Sequence, residues 1–169
     1  MSKAFTSEET PDLGPVVRPP PRLAPGEVRY VTPEGQAALR EALARLRADR
    51  GDAARLPDAE RPARLGELDA RIAALDATLG ALTVLGPEAT PEGQVGFGTW
   101  VTVEEEDGRR VTWRLVGPDE ADARRGLISA GSPVARALLG RRAGDVVEVN
   151  RPGGEAELTV VAVRRTAPP

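Results

Sequence analysis

Leu39, Leu43 and Leu46 fall four and three residues apart, and Leu65, Leu68, Ile72, Leu75, Leu79 and Leu82 follow at three, four, three, four and three. A heptad seam sustained over this length is a helix signal, and its apolar stripe requires a partner. One charged, proline-bearing break, "ADRGDAARLPDAERPARL" (48–65), separates the two runs. The economical structure is therefore an antiparallel helical hairpin in which each arm covers the seam of the other. Thr32 suits the N-cap of arm one, Pro33 its first position and Glu34 its positive dipole end. Counted from Gln36 to Arg50, that arm would be ~22 Å long. Arm two starts at Pro57 or at Pro62, both acceptable first-turn positions.

The remainder divides by composition and period. Residues 1–29 carry the proline-rich run "PDLGPVVRPPPRLAPGE", with neither helical nor alternating apolar order, and read as a disordered or polyproline-II tail. The hairpin occupies 30–85. Two prolines and two glycines in "LGPEATPEGQ" mark a linker over 86–94. From 95 to 169 the period changes to two. Val101 and Val103, then Val111, Trp113 and Leu115, alternate across the Asp107-Gly108 turn, and "DVVEV" and "AELTVVAV" flank "NRPGGE" as a second hairpin. Between the hairpins, Ser132, Pro133 and Gly140 cap, open and close a short helix. The fold class is α+β: a helical hairpin followed by a small antiparallel sheet packed on one helix.

With 169 residues, no cysteine and no histidine, the chain has no thiol or imidazole catalyst, no disulfide and no Cys/His metal site. Its 26 acids and 23 bases, net charge −3, are interleaved, so no basic stripe is available to track a phosphate backbone. No apolar run approaches the ~20 residues of a membrane span, no signal-peptide order opens the chain, and a cytoplasmic location is expected.

"GQVGFG" (93–98) precedes a strand rather than a helix, which argues against a dinucleotide loop. "EEEDGRR" (104–110) reads as a solvated hairpin tip rather than an acidic metal patch. "GPDEADARRGLISAGSPVARALLG" (117–140) is denser in acids and small residues than a plain connection needs. Turn and cap chemistry, with Asp119 and Ser132 bonding backbone amides, accounts for part of it.

At this segment the chain resembles the Gre-factor family of bacterial transcription elongation factors. "GQVGFGTWVTV", "VGPDEADARRGLISAGSPVARALLGRRAGDVVEV" and "PGGEAELTVVAV" stand in family order and spacing, and "VTPEGQAALREALARLR" matches the start of the family's coiled coil. The resemblance covers about residues 30 to 165. It implies an FKBP-like C-terminal domain that docks on RNA polymerase at the rim of the secondary channel, with the coiled coil pointing toward the polymerase active site. In cleavage-stimulating members, acids at the coiled-coil tip help hold a second Mg²⁺. Such a pair of ions stabilises attacking and leaving oxygens, and polymerase remains the enzyme.

At the tip this chain departs from the family. A cleavage factor reads like "D-x-x-E-N-A-E-Y" there, and no such run occurs between Arg50 and Leu65. The arms are also shorter by something like a heptad each, which withdraws the tip by ~10 Å. A carboxylate coordinates Mg²⁺ at ~2 Å; at 10 Å through water the attraction is only about 0.8 kcal/mol. Asp52, Asp58 and Glu60 are the candidate tip ligands, and Arg50, Arg55 and Arg61 are equally placed to pair with them.

The leading expectation is a non-enzymatic, monomeric factor that binds bacterial RNA polymerase. It would meet DNA and RNA only through the elongation complex and modulate or inhibit transcription without strong RNA cleavage. No catalytic residue, intrinsic metal or intrinsic cofactor is expected; only the polymerase Mg²⁺ would be shared. The candidate polymerase contacts are Asp119, Glu120, Asp122, Ser132, Pro133 and Arg136, with Leu138 and Leu139 in the core. The alternative is a cleavage factor whose tip acids complete the polymerase metal site. A third reading, prolyl isomerase, rests only on the FKBP-like fold and finds few aromatics to line a proline pocket.

Overall fold

A computed structural model describes residues 28–151 and 154–168. The proline-rich tail expected over 1–29 falls outside the described residues up to residue 27. Arg29, the last residue of that expected tail, opens strand β1 (Arg29–Val31), which leads directly into helix α1 (Pro33–Ala53).

The helix starts where its cap dictates. Thr32 is extended and its Oγ1 accepts from the Gly35 N–H at 3.0 Å, with Pro33 in the first turn. At 21 residues α1 is about 32 Å long, longer than the Gln36–Arg50 arm expected, because it begins at the cap and runs past Gly51. Helix α2 (Arg61–Ala81) starts beside Pro62, and Pro57 instead closes a turn ahead of it, with its carbonyl accepting from the N–H groups of Glu60 and Arg61. Contacts Arg50–Asp69 and Arg47–Asp76 set the two helices antiparallel. Leu43, Leu46, Ala53 and Leu68 are buried between them, with Leu56, Leu65, Ile72 and Leu75 packed around the distal cluster.

The expected seam ends one residue early. Leu82 leaves the helix and opens β2 (Leu82–Val84), which pairs in parallel with β1, Tyr30 opposite Thr83. In the segment expected as a linker, 86–94, Gly86 is buried and Pro87–Ala89 forms a 3-10 turn, while Glu88, Ala89 and residues 91–93 are exposed; just ahead of it the Leu85 N–H donates to the Val31 carbonyl.

The second half forms a five-stranded sheet from β3 (Trp100–Glu105), β4 (Arg110–Val116), β5 (Leu127–Ser129), β6 (Val146–Arg151) and β7 (Gly154–Arg164), in the order β5-β4-β3-β7-β6. It is not wholly antiparallel as expected: β5 runs parallel to β4, with Leu127 opposite Arg114. Gly126, in the left-handed region at φ 72°, turns the chain so that three residues suffice for this edge. The Asp107-Gly108 hairpin and the β6–β7 hairpin stand where alternation placed them, although residues 152–153 of the latter lie outside the described residues.

Val101 and Val103, Leu158 and Val160, and Val147 and Val149 send alternate side chains into one core with Leu115 and Val95. Helix α3 (Pro133–Leu138) covers it with Ala135 and Leu138, one turn apart and both fully buried. Leu139, expected in the core, is 41% exposed, because the helix ends at Leu138 and the next residue turns away at ψ 132°. No described helix is long and apolar enough to cross a membrane.

Candidate functional site

The hairpin tip holds the three acids singled out in the sequence but does not bring them together. Asp52, in the last turn of α1, pairs with Arg55 at 3.1 Å, and Asp58 pairs with Arg61 at 2.7 Å. Their side chains are 76% and 93% exposed, and exposed pairs of this kind contribute about 0–1 kcal/mol. Glu60, exposed ahead of α2, makes no side-chain cap hydrogen bond. Among the described residues no group of three or more acids is arranged to hold a metal ion. Arg61 has a second role that the sequence did not reveal. Its Nε and Nη2 both donate to the Leu56 carbonyl, at 3.0 and 2.8 Å, and so close the turn. Further back, Arg50 hydrogen-bonds Asp69 and thereby holds that carboxyl below its ordinary pKa.

The six residues expected at a partner surface divide into three kinds. Pro133 and Arg136 are exposed, one turn apart on α3, on the side opposite Ala135 and Leu138. Leu139 continues that row, three residues beyond Arg136, as an exposed apolar side chain. Asp122 and Ser132 are half-buried caps: the Arg124 N–H donates to Asp122 at 3.0 Å, and the Ala135 N–H to Ser132 at 3.2 Å. Asp119 and Glu120 face inward. Rather than bonding backbone amides as expected, Asp119 receives Nε and Nη2 of Arg29 in a two-pronged ion pair whose side chains are only 4% and 11% exposed. Glu120 Oε1 accepts from the Thr32 N–H at 2.8 Å and the Gly117 N–H at 3.0 Å, while Oε2 accepts from Thr32 Oγ1 at 2.6 Å.

These contacts make a polar junction between the start of α1 and the end of β4. Arg114, 9% exposed, donates to the Gly98 carbonyl at 3.0 Å and to Glu34 at 2.9 Å, and its guanidinium lies 5.7 Å from the Trp100 ring centre. Gly35 and Gly117 permit the close approach: a Cβ on Gly35 would overlap the Glu120 carboxylate, and one on Gly117 would strike the Tyr30 carbonyl oxygen. The pairs that join the two ends, Arg29–Asp119, Thr32–Glu120 and Glu34–Arg114, are 80 to 90 residues apart in sequence, so no local pattern signals the junction.

Burial works to raise the Glu34 pKa, but its own backbone N–H and the hydrogen bond and charge of Arg114 outweigh that and hold the carboxyl below its ordinary 4.5. A depressed carboxylate stabilises the fold above its unfolded pKa and loses that contribution as pH falls through the folded value. Glu34, 66% exposed, is therefore expected to contribute only about 0.5 kcal/mol at neutral pH. Urea midpoints of the native chain and of Glu34→Gln should differ slightly at pH 7 and converge as the pH falls through the depressed Glu34 pKa. A gap that widens in acid would reverse the sign of this assignment.

Three comparisons place these features among known proteins. The family described as "Transcription elongation factor, GreA/GreB, C-term" matches residues 90–165. Transcription elongation factor GreB of Pseudomonas aeruginosa is 39% identical over 159 residues, covering 85% of this chain and 94% of that protein. GreB of Yersinia pestis is 45% identical over 101 residues, which is 60% of this chain but only 59% of that protein's length. The crystal structure of GreA factor homolog 1 (Gfh1) of Thermus thermophilus aligns at 28% identity over 82% of this chain and 99% of that one, with a TM-score of 0.39.

Proposed function

Since the chain belongs to the GreA/GreB family of transcription elongation factors, we propose that it binds bacterial RNA polymerase and acts through the secondary channel without strongly stimulating RNA cleavage. In this reading the helical hairpin is the family's coiled coil, and the sheet with α3 is the FKBP-like docking domain. The single chain meets DNA and RNA only within the elongation complex, is not itself an enzyme, carries no cofactor of its own and works in the cytoplasm. Docking falls to the outer face of α3, with Pro133, Arg136 and the neighbouring caps Asp122 and Ser132. An apolar centre with polar surroundings is the usual anatomy of such a contact, and Leu139 adds apolar area to it.

The observation that carries the non-cleaving reading is the divergence of the tip acids. Asp52 and Asp58 are turned to their own arginines, and the described residues form no acidic cluster that could present a metal ligand set. Should a Mg²⁺ at the polymerase centre come within reach, Asp52, Asp58 and Glu60 are the residues that would meet it, and their hard oxygen donors suit that ion. Glu60, the tip acid without a side-chain cap bond, is what favours the alternative of a cleavage factor.

The test is addition of the protein to backtracked elongation complexes with Mg²⁺. Slower nucleotide addition without 3′ RNA cleavage is expected. Pro133→Asp should weaken the effect at least tenfold by placing a charge in the docking row. Strong cleavage abolished by Asp52→Ala, Asp58→Ala or Glu60→Ala would establish the alternative instead.

A further inference from the structure

Helix α1 lacks one half of its own cap. In a capping box the N-cap hydroxyl accepts from the third helical residue's N–H, and a Glu or Gln at that third position reaches back to the N-cap N–H. Here Thr32 supplies the first half, by accepting from the Gly35 N–H, but the third position is Gly35 itself, with no side chain to return the bond. The returning carboxylate is Glu120, 88 residues on: it accepts from the Thr32 N–H and from the Thr32 hydroxyl, and it occupies the space that a side chain at Gly35 would fill. Thr32 is wholly buried, so no water offers an alternative acceptor there.

We propose that Glu120 is a positioning residue that completes the capping box of α1 from the sheet half of the molecule and thereby sets the direction of the hairpin. One carboxylate holds the first turn of α1 and, through the Gly117 N–H, the end of β4. Its geometry is fixed by charge-assisted hydrogen bonds to three donors. The Arg29–Asp119 and Glu34–Arg114 pairs, whose members Arg29 and Glu34 lie on either side of Thr32 in sequence, limit rotation about the junction. The leverage is large: with an arm of about 32 Å, a tilt of about 10° at the junction carries the tip about 5 Å, more than the reach of a hydrogen bond. The geometric claim stands by itself; its consequence for transcription rests on the polymerase reading above.

The absence of cysteine makes the test direct. Spin labels on Ala54→Cys, exposed at the tip, and Glu148→Cys, exposed on β6, report the tip-to-sheet distance in the full chain by pulsed electron paramagnetic resonance. A single narrow distribution is expected, widened by about 5 Å or more in Glu120→Ala and to a lesser degree in Glu120→Gln. The double variant Gly35→Glu/Glu120→Ala provides α1 with a local capping glutamate. It should recover helical circular dichroism and thermal stability while the distance remains broad. A distribution that stays narrow in both single variants, or that narrows again in the double variant, overturns the proposal, since Glu120 would then be unnecessary or merely a cap. If Glu120→Ala does not fold, Glu120→Gln decides by the same criterion. On polymerase, Glu120→Ala should still bind but lose the slowing of nucleotide addition. Failure of the native chain to bind would defeat the polymerase reading and leave the distance result standing.

Discussion

Asp119→Ala is expected to cost about 3 kcal/mol of stability, the largest loss foreseen for any single polar substitution in this chain. The reason is what it leaves behind. Arg29 is 5% exposed and both prongs of its guanidinium end on Asp119, and removing one partner of a buried pair typically costs 3–5 kcal/mol because the remaining charge is neither solvated nor matched. The pair Arg47–Asp76, with side chains 58% and 45% exposed, has the same chemistry but is worth at most about 1 kcal/mol. Removing both charges should be far milder than removing one: Arg29→Met/Asp119→Leu replaces the pair with apolar volume and is expected to lie within about 1 kcal/mol of the native chain. Urea unfolding of the single and double variants measures this directly, and a loss below about 1 kcal/mol in Asp119→Ala would show that water reaches Arg29 after all. One practical consequence follows for polymerase. Weakened binding by an Asp119 variant would report a damaged junction, so the docking surface has to be mapped at exposed positions such as Pro133 and Arg136.

That distinction between junction and surface was not legible in the sequence, and the reason is the range of the interactions. Thr32 and Ser132 could be identified as caps because a cap is written within four residues, and both make the expected bonds. The hairpin and the two β-hairpins are legible through periods of 3.5 and 2; of the three arginines equally placed to pair with the tip acids, Arg55 and Arg61 do so while Arg50 reaches Asp69 instead. Arg29 had no period to belong to and was assigned to the proline-rich tail, although it lies in a strand and in the most buried ion pair described. Strands β1, β2 and β5 have three residues each, too few for alternation to declare itself. The parallel partner of β1 lies 53 residues along the chain, Arg29 opposite Leu82. Asp119 and Glu120 are singled out in the sequence by a density of acids beyond ordinary turn chemistry and are expected at a polymerase contact, whereas in the fold both face inward. What the acids serve is decided by Arg29 and Thr32, which only the folded chain brings to them.

Leu68→Ala should divide the molecule in a different way, by loosening the hairpin while sparing the sheet. Leu68 is the one residue of α2 that is fully buried, and it sits with Leu46 and Ala53 at the centre of the distal cluster. Truncating a buried leucine costs about 3–5 kcal/mol through lost transfer energy and the cavity that remains. The bridges between the two helices, Arg47–Asp76 and Arg50–Asp69, are exposed and cannot replace it at about 0–1 kcal/mol each. Packing of an apolar face supplies most of a helix's stability, so the capped start of α1 at the junction does not by itself hold the two arms together. The two tryptophans offer an internal control: Trp100 lies in β3 and Trp113 in β4, so their fluorescence follows the sheet while helical circular dichroism is dominated by the hairpin. In Leu68→Ala the helical transition should move down by about 10 °C with the fluorescence transition nearly unmoved, and Leu158→Ala, at a fully buried position in β7, should produce the converse. If both signals fall together in Leu68→Ala, the polar junction couples hairpin and sheet into one cooperative unit. The junction would then carry stability as well as direction between the two halves.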